Sequence, residues 1–422
     1  MLYFEKGRPD YAFSRDEIKK AVFSALDKLG PKRKVLVIPP DFTRFHSRAG
    51  ELTHYIYEYY GERLTDILPA LGTHFPMTEA EKGKMFPGIP PEIFRVHNWR
   101  EDVVTIGIVP GEYVKEVSGG VVDYPWPAQV NKLLIEGGYD LILSLGQVVP
   151  HEVIGMASYN KNIFVGTGGA EGINKSHFIG ASYGMERIMG RASNPVRKVL
   201  NYASEHFALR SPVVYMQTVV SQGDDGLQMR GLYIGDDSGC FEKAAALSLR
   251  VNFRMLDKEM KKVVVYLDPE EFRSTWVGNK SIYRTRMAIA DGGELIVLAP
   301  GLHQFGEDPT NDVLIRKYGY VHTPQVLKYV AENEDLQNSL GVAAHLIHGT
   351  SEGRFTITYC PGHLTQQEIE SVGFQYAGLD EMMKKYNPAT LKDGWNEVDG
   401  EEIYYISNPA LGLWAYRERF NG

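Results

Sequence analysis

Apolar positions along this chain fall into two alternating patterns. Residues 15–29 place Ile18, Val22 and Leu26 four apart behind a Ser-x-x-Glu start signal, which predicts an amphipathic helix. Lys34 to Pro39 (KVLVIP) is instead a short unbroken apolar run, as expected of a buried parallel strand. The alternation continues with a helix over 52–60 and a strand over 64–71. A polar, proline-rich stretch to about residue 100 follows, then a helix near 128–136 and a strand over 140–145. Further on, strands are predicted at 211–221 and 227–236 and a helix at 242–253. The apolar pattern lapses at Asp257–Lys262 (DKEMKK), which marks a domain junction. A second alternating unit then runs through a strand at 263–267, a helix near 280–291, a strand at 294–300, a helix near 323–334, a strand at 355–359 and a helix over 366–373. No internal repeat interrupts it.

Strands alternating with helices predict two α/β domains with mainly parallel sheets, and an active site is expected in the cleft between them. The expected division is 1–258 for the first domain and 259–400 for the second. Residues 401–422 are expected to form a tail packing back on the first domain. In such sheets ligands bind outside the carboxyl ends of the strands. Three predicted strands each deliver a polar residue just past that end: Arg44, His74 and His151.

The length of 422 residues agrees with two or three domains, and 43% hydrophobic residues suffice for ordinary cores. A net charge of −8 argues against nucleic acid or an anionic membrane as partner. Two distant cysteines, Cys240 and Cys360, make no disulfide framework or CxxC site. No apolar run reaches the roughly 20 residues needed to span a bilayer, and the N-terminus lacks a signal-peptide core, so a soluble, cytoplasmic protein is expected.

The densest candidate chemistry lies between His151 and His177, a Gly- and Asn-rich stretch that also contains Lys161. Its composition suits a chain folded closely around something else better than one long helix or strand. A histidine serves as base or metal ligand, and a lysine as covalent anchor. Yet most lysines are solvated surface groups and many loop histidines only bond backbone, so spacing alone leaves all three open. Gly166-Thr167-Gly168-Gly169 fails the dinucleotide fingerprint, because Glu171 stands at its sixth position. His151-Glu152 lacks the second histidine of a zincin motif, and His345 with His348 has no third ligand at a convincing spacing.

With these residues in place, the chain resembles the nickel-dependent lactate racemase family, most strongly over residues 35–255. The family's Asp-His-Thr-Arg segment stands here as Asp41-Phe42-Thr43-Arg44. Its Gly-x-His-x-Pro-x-Thr segment is Gly72 to Thr78, and its His, Lys, His series matches His151, Lys161 and His177 without a gap. The passage at 231–245 is similar as well. The resemblance implies a nickel-pincer nucleotide cofactor, made by separate biosynthetic proteins and linked covalently at Lys161. His177 is the implied nickel ligand. His74 and His151 are the implied acid/base pair, Arg44 orients substrate or cofactor, Asp41 holds its loop, and Lys280 sits over the substrate carboxylate. The implied reaction is racemisation or epimerisation at C2 of a 2-hydroxy acid by reversible hydride transfer. Taking hydride avoids building a carbanion next to a carboxylate.

Three departures bear on substrate. Val277 stands where lactate-specific members have glutamine, and Leu340 or Gly341 where they have tryptophan. Arg284 and Arg286 add charge beyond Lys280. Together they favour a larger 2-hydroxy acid, such as a sugar acid, over lactate. Two other readings remain at this point: a nicotinamide-dependent 2-hydroxy acid dehydrogenase, and a non-catalytic protein of this fold that binds sugar acids or nickel. Oligomeric state is not legible.

Overall fold

The computed structural model describes residues 1–421 apart from 208, 210, 224 and 225. The chain forms two compact α/β units. The first comprises Met1–Ile179 with Met189–Asn252, and the second Gly180–Ile188 with Phe253–Gly422.

The elements of the first unit that frame the site include β1 (Leu2–Gly7), α1 (Arg15–Leu29), β2 (Val35–Ile38), α2 (Ala49–Tyr60), β3 (Leu64–Ile67), β4 (Val103–Val109), β5 (Trp126–Asn131), β6 (Leu141–Gln147), α3 (Ala170–Tyr183, whose last turn is counted with the second unit), α4 (Pro195–His206), β7 (Val213–Gly223), β8 (Gly226–Gly235) and α5 (Ser238–Val251). Helix α1 starts where the sequence placed it. Ser14 Oγ accepts the Glu17 N–H, and the Glu17 carboxylate accepts the Ser14 N–H, so two otherwise orphan donors are satisfied. Its Ile18, Val22 and Leu26 are fully buried, packed with α2 residues and one face of the sheet in a single core. All four side chains of β2 are fully buried, each worth about 1.5–3 kcal/mol, which explains a strand with no polar alternation.

The sheet order is β1-β8-β7-β6-β2-β3. Strands β3, β2, β6 and β7 run parallel; β8 pairs antiparallel with β7, and β1 antiparallel with β8. From β2 the chain moves to β3 on one side and then returns to β6 on the other. That reversal leaves a crevice outside the carboxyl ends of β2 and β6.

The second unit adds β9 (Phe253–Leu256), β10 (Met260–Tyr266), β11 (Ile289–Ala299), α6 (Thr323–Glu332), α7 (Leu340–His348), β12 (Thr356–Pro361), β13 (Gln375–Tyr376), β14 (Gly394–Val398), β15 (Glu401–Ile406) and β16 (Leu413–Tyr416). Its sheet order is β13-β12-β11-β10-β15-β14, parallel except at β14. Val264, Ile296, Leu298 and Tyr405 share one buried cluster on it.

Four sequence expectations need correction. The 128–136 helix is mostly strand: Val104 pairs with Val130 across β4 and β5, and only Leu133–Glu136 is helical before the Gly137-Gly138 turn. The 280–291 helix stops after one turn at Tyr283, because Trp414 and Tyr416 N–H groups take the carbonyls of Arg284 and Met287. The boundary lies at Asn252/Phe253, since DKEMKK runs straight into β10, and residues 180–188 belong to the second unit. Finally, residues 401–416 do not leave the second unit: β15 pairs with β10 and β16 with β9.

Candidate active site

The adjacent parallel strands β3, β2 and β6 deliver the polar residues of the first unit from neighbouring carboxyl ends. After β2, Asp41 caps a 3-10 turn over Phe42–Ser47 that carries Arg44. Its Oδ1 accepts both the Thr43 N–H (3.0 Å) and the Thr43 hydroxyl (2.5 Å). The other oxygen, Oδ2, lies 2.5 Å from His74 Nδ1. A carboxylate accepts only, so His74 holds its proton on Nδ1 and presents the Nε2 lone pair. Asp41 is buried while His74 is exposed. Burial pushes the Asp41 carboxyl up, but bonds from His74 and Thr43 with the Arg44 charge outweigh it and hold the group below its ordinary range.

His151 follows β6 and is buried in a two-residue ladder, Pro150–His151 against Gly155–Met156. Its Nδ1 accepts the Val153 N–H at 3.1 Å and lies 3.8 Å from a Glu152 carboxylate oxygen. The neutral ring therefore carries its proton on Nε2, opposite to His74.

Lys161 opens a single π-turn, Asn162–Gly166, closed by the Thr167 N–H to Asn162 carbonyl bond of 2.9 Å. Such bulges recur at functional sites. The turn is anchored on two sides. Asn162 Nδ2 donates to the Leu145 carbonyl at the end of β6 (2.8 Å), and the Gly166 carbonyl accepts the Gly72 N–H beneath His74 (2.8 Å). Gly168 follows because a Cβ there would lie 2.0 Å from the Phe164 oxygen. Lys161 keeps part of its surface open in this crevice, and its amine has no hydrogen bond or ion pair to the described residues. Burial, then the positive charges of Arg44 and Arg197, hold it down at about 8 against the pull of Glu152 and Asp41.

Helix α3 carries His177, whose Nδ1–H donates to the Ile173 carbonyl at 2.7 Å. That bond fixes the tautomer and leaves Nε2 as a donor atom for a metal. Burial lowers the basicity of His177, and the Lys161 charge lowers it further. Asp41, Arg44, His74, Lys161, His177 and Glu152 are thus linked by hydrogen bonds or electrostatic reach in one unit.

Lys280 belongs to the second unit, where it follows β10 on a one-turn helix with its amine 5.6 Å from the Phe272 ring centre. Val277 is half-buried on the preceding turn, and Leu340 begins α7. Arg286 does not add free charge. Its guanidinium donates to Glu186 (3.0 Å) and to the Thr350 carbonyl (3.1 Å). His345 and His348 lie buried on α7, with His345 bonded to the Tyr320 hydroxyl, as core histidines do.

Sequence reasoning missed Glu152, Arg197 and the direct bond between Asp41 and His74. Asp41 and His74 stood 33 residues apart with nothing local to join them; only the parallel neighbours β2 and β3 could have suggested it. Among the described residues no helix is long and apolar enough to cross a membrane.

Comparison with known proteins gives three matches. Residues 17–186 match the model of the lactate racemase N-terminal domain family. A crystal structure of a protein from Thermotoga maritima is 25% identical, covering 98% of this chain and 100% of that one, with a TM-score of 0.82. The lactate racemase apoprotein from Thermoanaerobacterium thermosaccharolyticum is 18% identical over 96% of this chain and 93% of that one, with a TM-score of 0.70, a likeness of fold. No curated protein matches the chain.

Proposed function

We propose, on the premise that the chain belongs to the lactate racemase-like family through its residues 17–186, that it is a racemase or epimerase inverting C2 of a 2-hydroxy acid. The observation that carries this reading is the pairing of Lys161 with His177. One is an amine without a hydrogen-bond partner among the described residues; the other is an imidazole whose Nε2 is set as a donor atom within its electrostatic reach.

A nickel-pincer nucleotide fits these residues. His177 offers a single imidazole, and the remaining donors to the metal would come from the organic group. Lys161 would hold that group covalently, and His177 would ligate the nickel. When bound, the group supplies an electron-poor carbon able to accept hydride from C2 and return it to either face. Its supply by separate biosynthetic proteins and a cytoplasmic location are part of this reading.

The chain's own residues handle the proton and the orientation. His74 Nε2 receives the substrate hydroxyl proton while Asp41 supports the imidazolium, as a carboxylate does for a catalytic histidine. His151, as the imidazolium beside Glu152, would supply the hydroxyl proton on the return and be left neutral, and the roles exchange for the other enantiomer. Arg44 orients the bound group or substrate from the β2 turn. Lys280 holds the substrate carboxylate.

Val277 and Leu340 remove a polar contact and a bulky wall, which favours a sugar acid over lactate; lactate turnover far exceeding that of any aldonate would sink this preference. The reaction itself is tested with substrate deuterated at C2 and loaded enzyme. Racemised product should retain most of the label, whereas washout into water would indicate proton abstraction at carbon and contradict the reading.

A further inference from the structure

The approach to Lys161 is strained. Ser158 and Tyr159 both lie in the left-handed region, at φ 70° and 60°, and neither is glycine. One bulky residue there is uncommon, and two in succession persist only where the surroundings over-determine them.

Arg197, on α4, supplies that determination. Its guanidinium is buried at 2% exposure, and every hydrogen bond it makes goes to residues 156–160. Nη2 donates to the Met156 carbonyl (2.7 Å) and the Ser158 carbonyl (3.3 Å). Nη1 donates to the same Ser158 carbonyl (3.3 Å) and to Asn160 Oδ1. The Phe241 ring closes one face, 4.2 Å from the guanidinium carbon. Gln217 accepts the Tyr159 N–H at 3.1 Å, and Asn201 and Ser204 accept from Asn160 Nδ2.

Among the described residues no carboxylate pairs with Arg197. Burying a cation with only neutral acceptors is costly, so its place here calls for a return beyond packing. All of its bonds fall on the five residues that precede Lys161. Its charge also adds to those that hold the Lys161 amine low.

We propose that Arg197 is the positioning residue for Lys161: its planar fork clamps residues 156–160 in the left-handed turn that presents the amine for acylation. This rests on the reading of Lys161 as the attachment point. A lysine at 197 keeps the charge but cannot span the two carbonyls and the amide oxygen together.

The test uses the full chain without cofactor and a small N-hydroxysuccinimide acetate ester at pH 8. The amine attacks the acyl carbon, the amide C–N bond forms, N-hydroxysuccinimide leaves, and the amine proton goes to buffer. Peptide mass spectrometry compares acetylation of Lys161 with that of exposed Lys20 in the same sample. Wild type should label Lys161 faster than Lys20. Arg197→Gln and Arg197→Lys should each lower the Lys161/Lys20 ratio at least tenfold. Adding Ser158→Gly to Arg197→Gln should restore part of it, because glycine takes positive φ without a clamp; a purely structural role for Arg197 predicts no such rescue. Equal ratios in wild type and both single variants would overturn the proposal while leaving the attachment reading intact. A wild-type Lys161 no more reactive than Lys20 would overturn the attachment reading and the proposal with it.

Discussion

Replacing Asp41 by Asn should reverse the proton on His74 without disturbing the turn. Both Thr43 donors bind Oδ1, so an asparagine keeps its amide oxygen there and turns its NH2 toward His74 Nδ1. That nitrogen must then accept, and the ring proton moves to Nε2, where the proposed base needs a lone pair. A positioned base is worth about 10²–10⁴-fold, so kcat should fall by that factor, or about 2.7–5.5 kcal/mol at 1.36 per tenfold. Asparagine caps as well as aspartate, so stability should move by no more than roughly 0.5 kcal/mol. Because the Asp41 carboxyl is held below its ordinary range, it remains the acceptor of the His74 Nδ1 proton at neutral pH. Nitrogen-15 NMR of His74 reads the protonated nitrogen directly, and turnover of loaded enzyme reads the catalytic cost. A variant whose His74 keeps its Nδ1 proton, with turnover within threefold of wild type, would refute the role given to Asp41. A large stability loss would instead make Asp41 a structural cap.

Two further predictions concern the second unit. Glu186 sits between Arg286 (3.0 Å) and Arg354 (2.8 Å), and although burial raises its carboxyl, the two guanidinium charges and their bonds hold it below the ordinary value. Glu186→Gln should cost about 2–4 kcal/mol at pH 7, somewhat less than a fully buried pair because part of the carboxylate is exposed. A depressed carboxyl contributes above its unfolded pKa near 4.3, so the gap between variant and wild type should close on going from pH 7 to 3; calorimetry showing a constant gap would contradict the assignment. Burial drives His345 down to about 3, with His348 adding to it. The unfolded chain therefore takes a proton below about 6.5 that the fold refuses, and wild type should lose roughly 2 kcal/mol between pH 7 and 5 that His345→Gln does not lose. Urea midpoints with identical pH slopes in the two proteins would rule this out.

Much of the fold was legible because local and global signals agree. Helix α1 combines a capping box with apolar residues four apart, and β2 is apolar on both faces because both faces are covered. The errors came where partners distant in sequence decide. Val130, Leu133 and Leu134 have helical spacing, yet β5 forms because β4 offers a pairing edge about 20 residues earlier. The 280–291 segment loses its helix to donors arriving from β16, more than 120 residues later. In the site, the strand-end residues Arg44, His74 and His151 were visible from the α/β pattern. The left-handed Ser158-Tyr159 turn was not, since neither residue is one that favours positive φ, and its clamp comes from another helix.

In the proposed function Lys161 carries the reacting group and His177 a metal. This assignment is tested most directly by intact and peptide mass measurement, with metal analysis, on protein produced alongside the cofactor-building proteins. Added mass confined to the Lys161 peptide is expected, with nickel in near-equal amount and lost in His177→Ala. An unmodified Lys161 in protein free of nickel, from a preparation that racemises a 2-hydroxy acid, would contradict it.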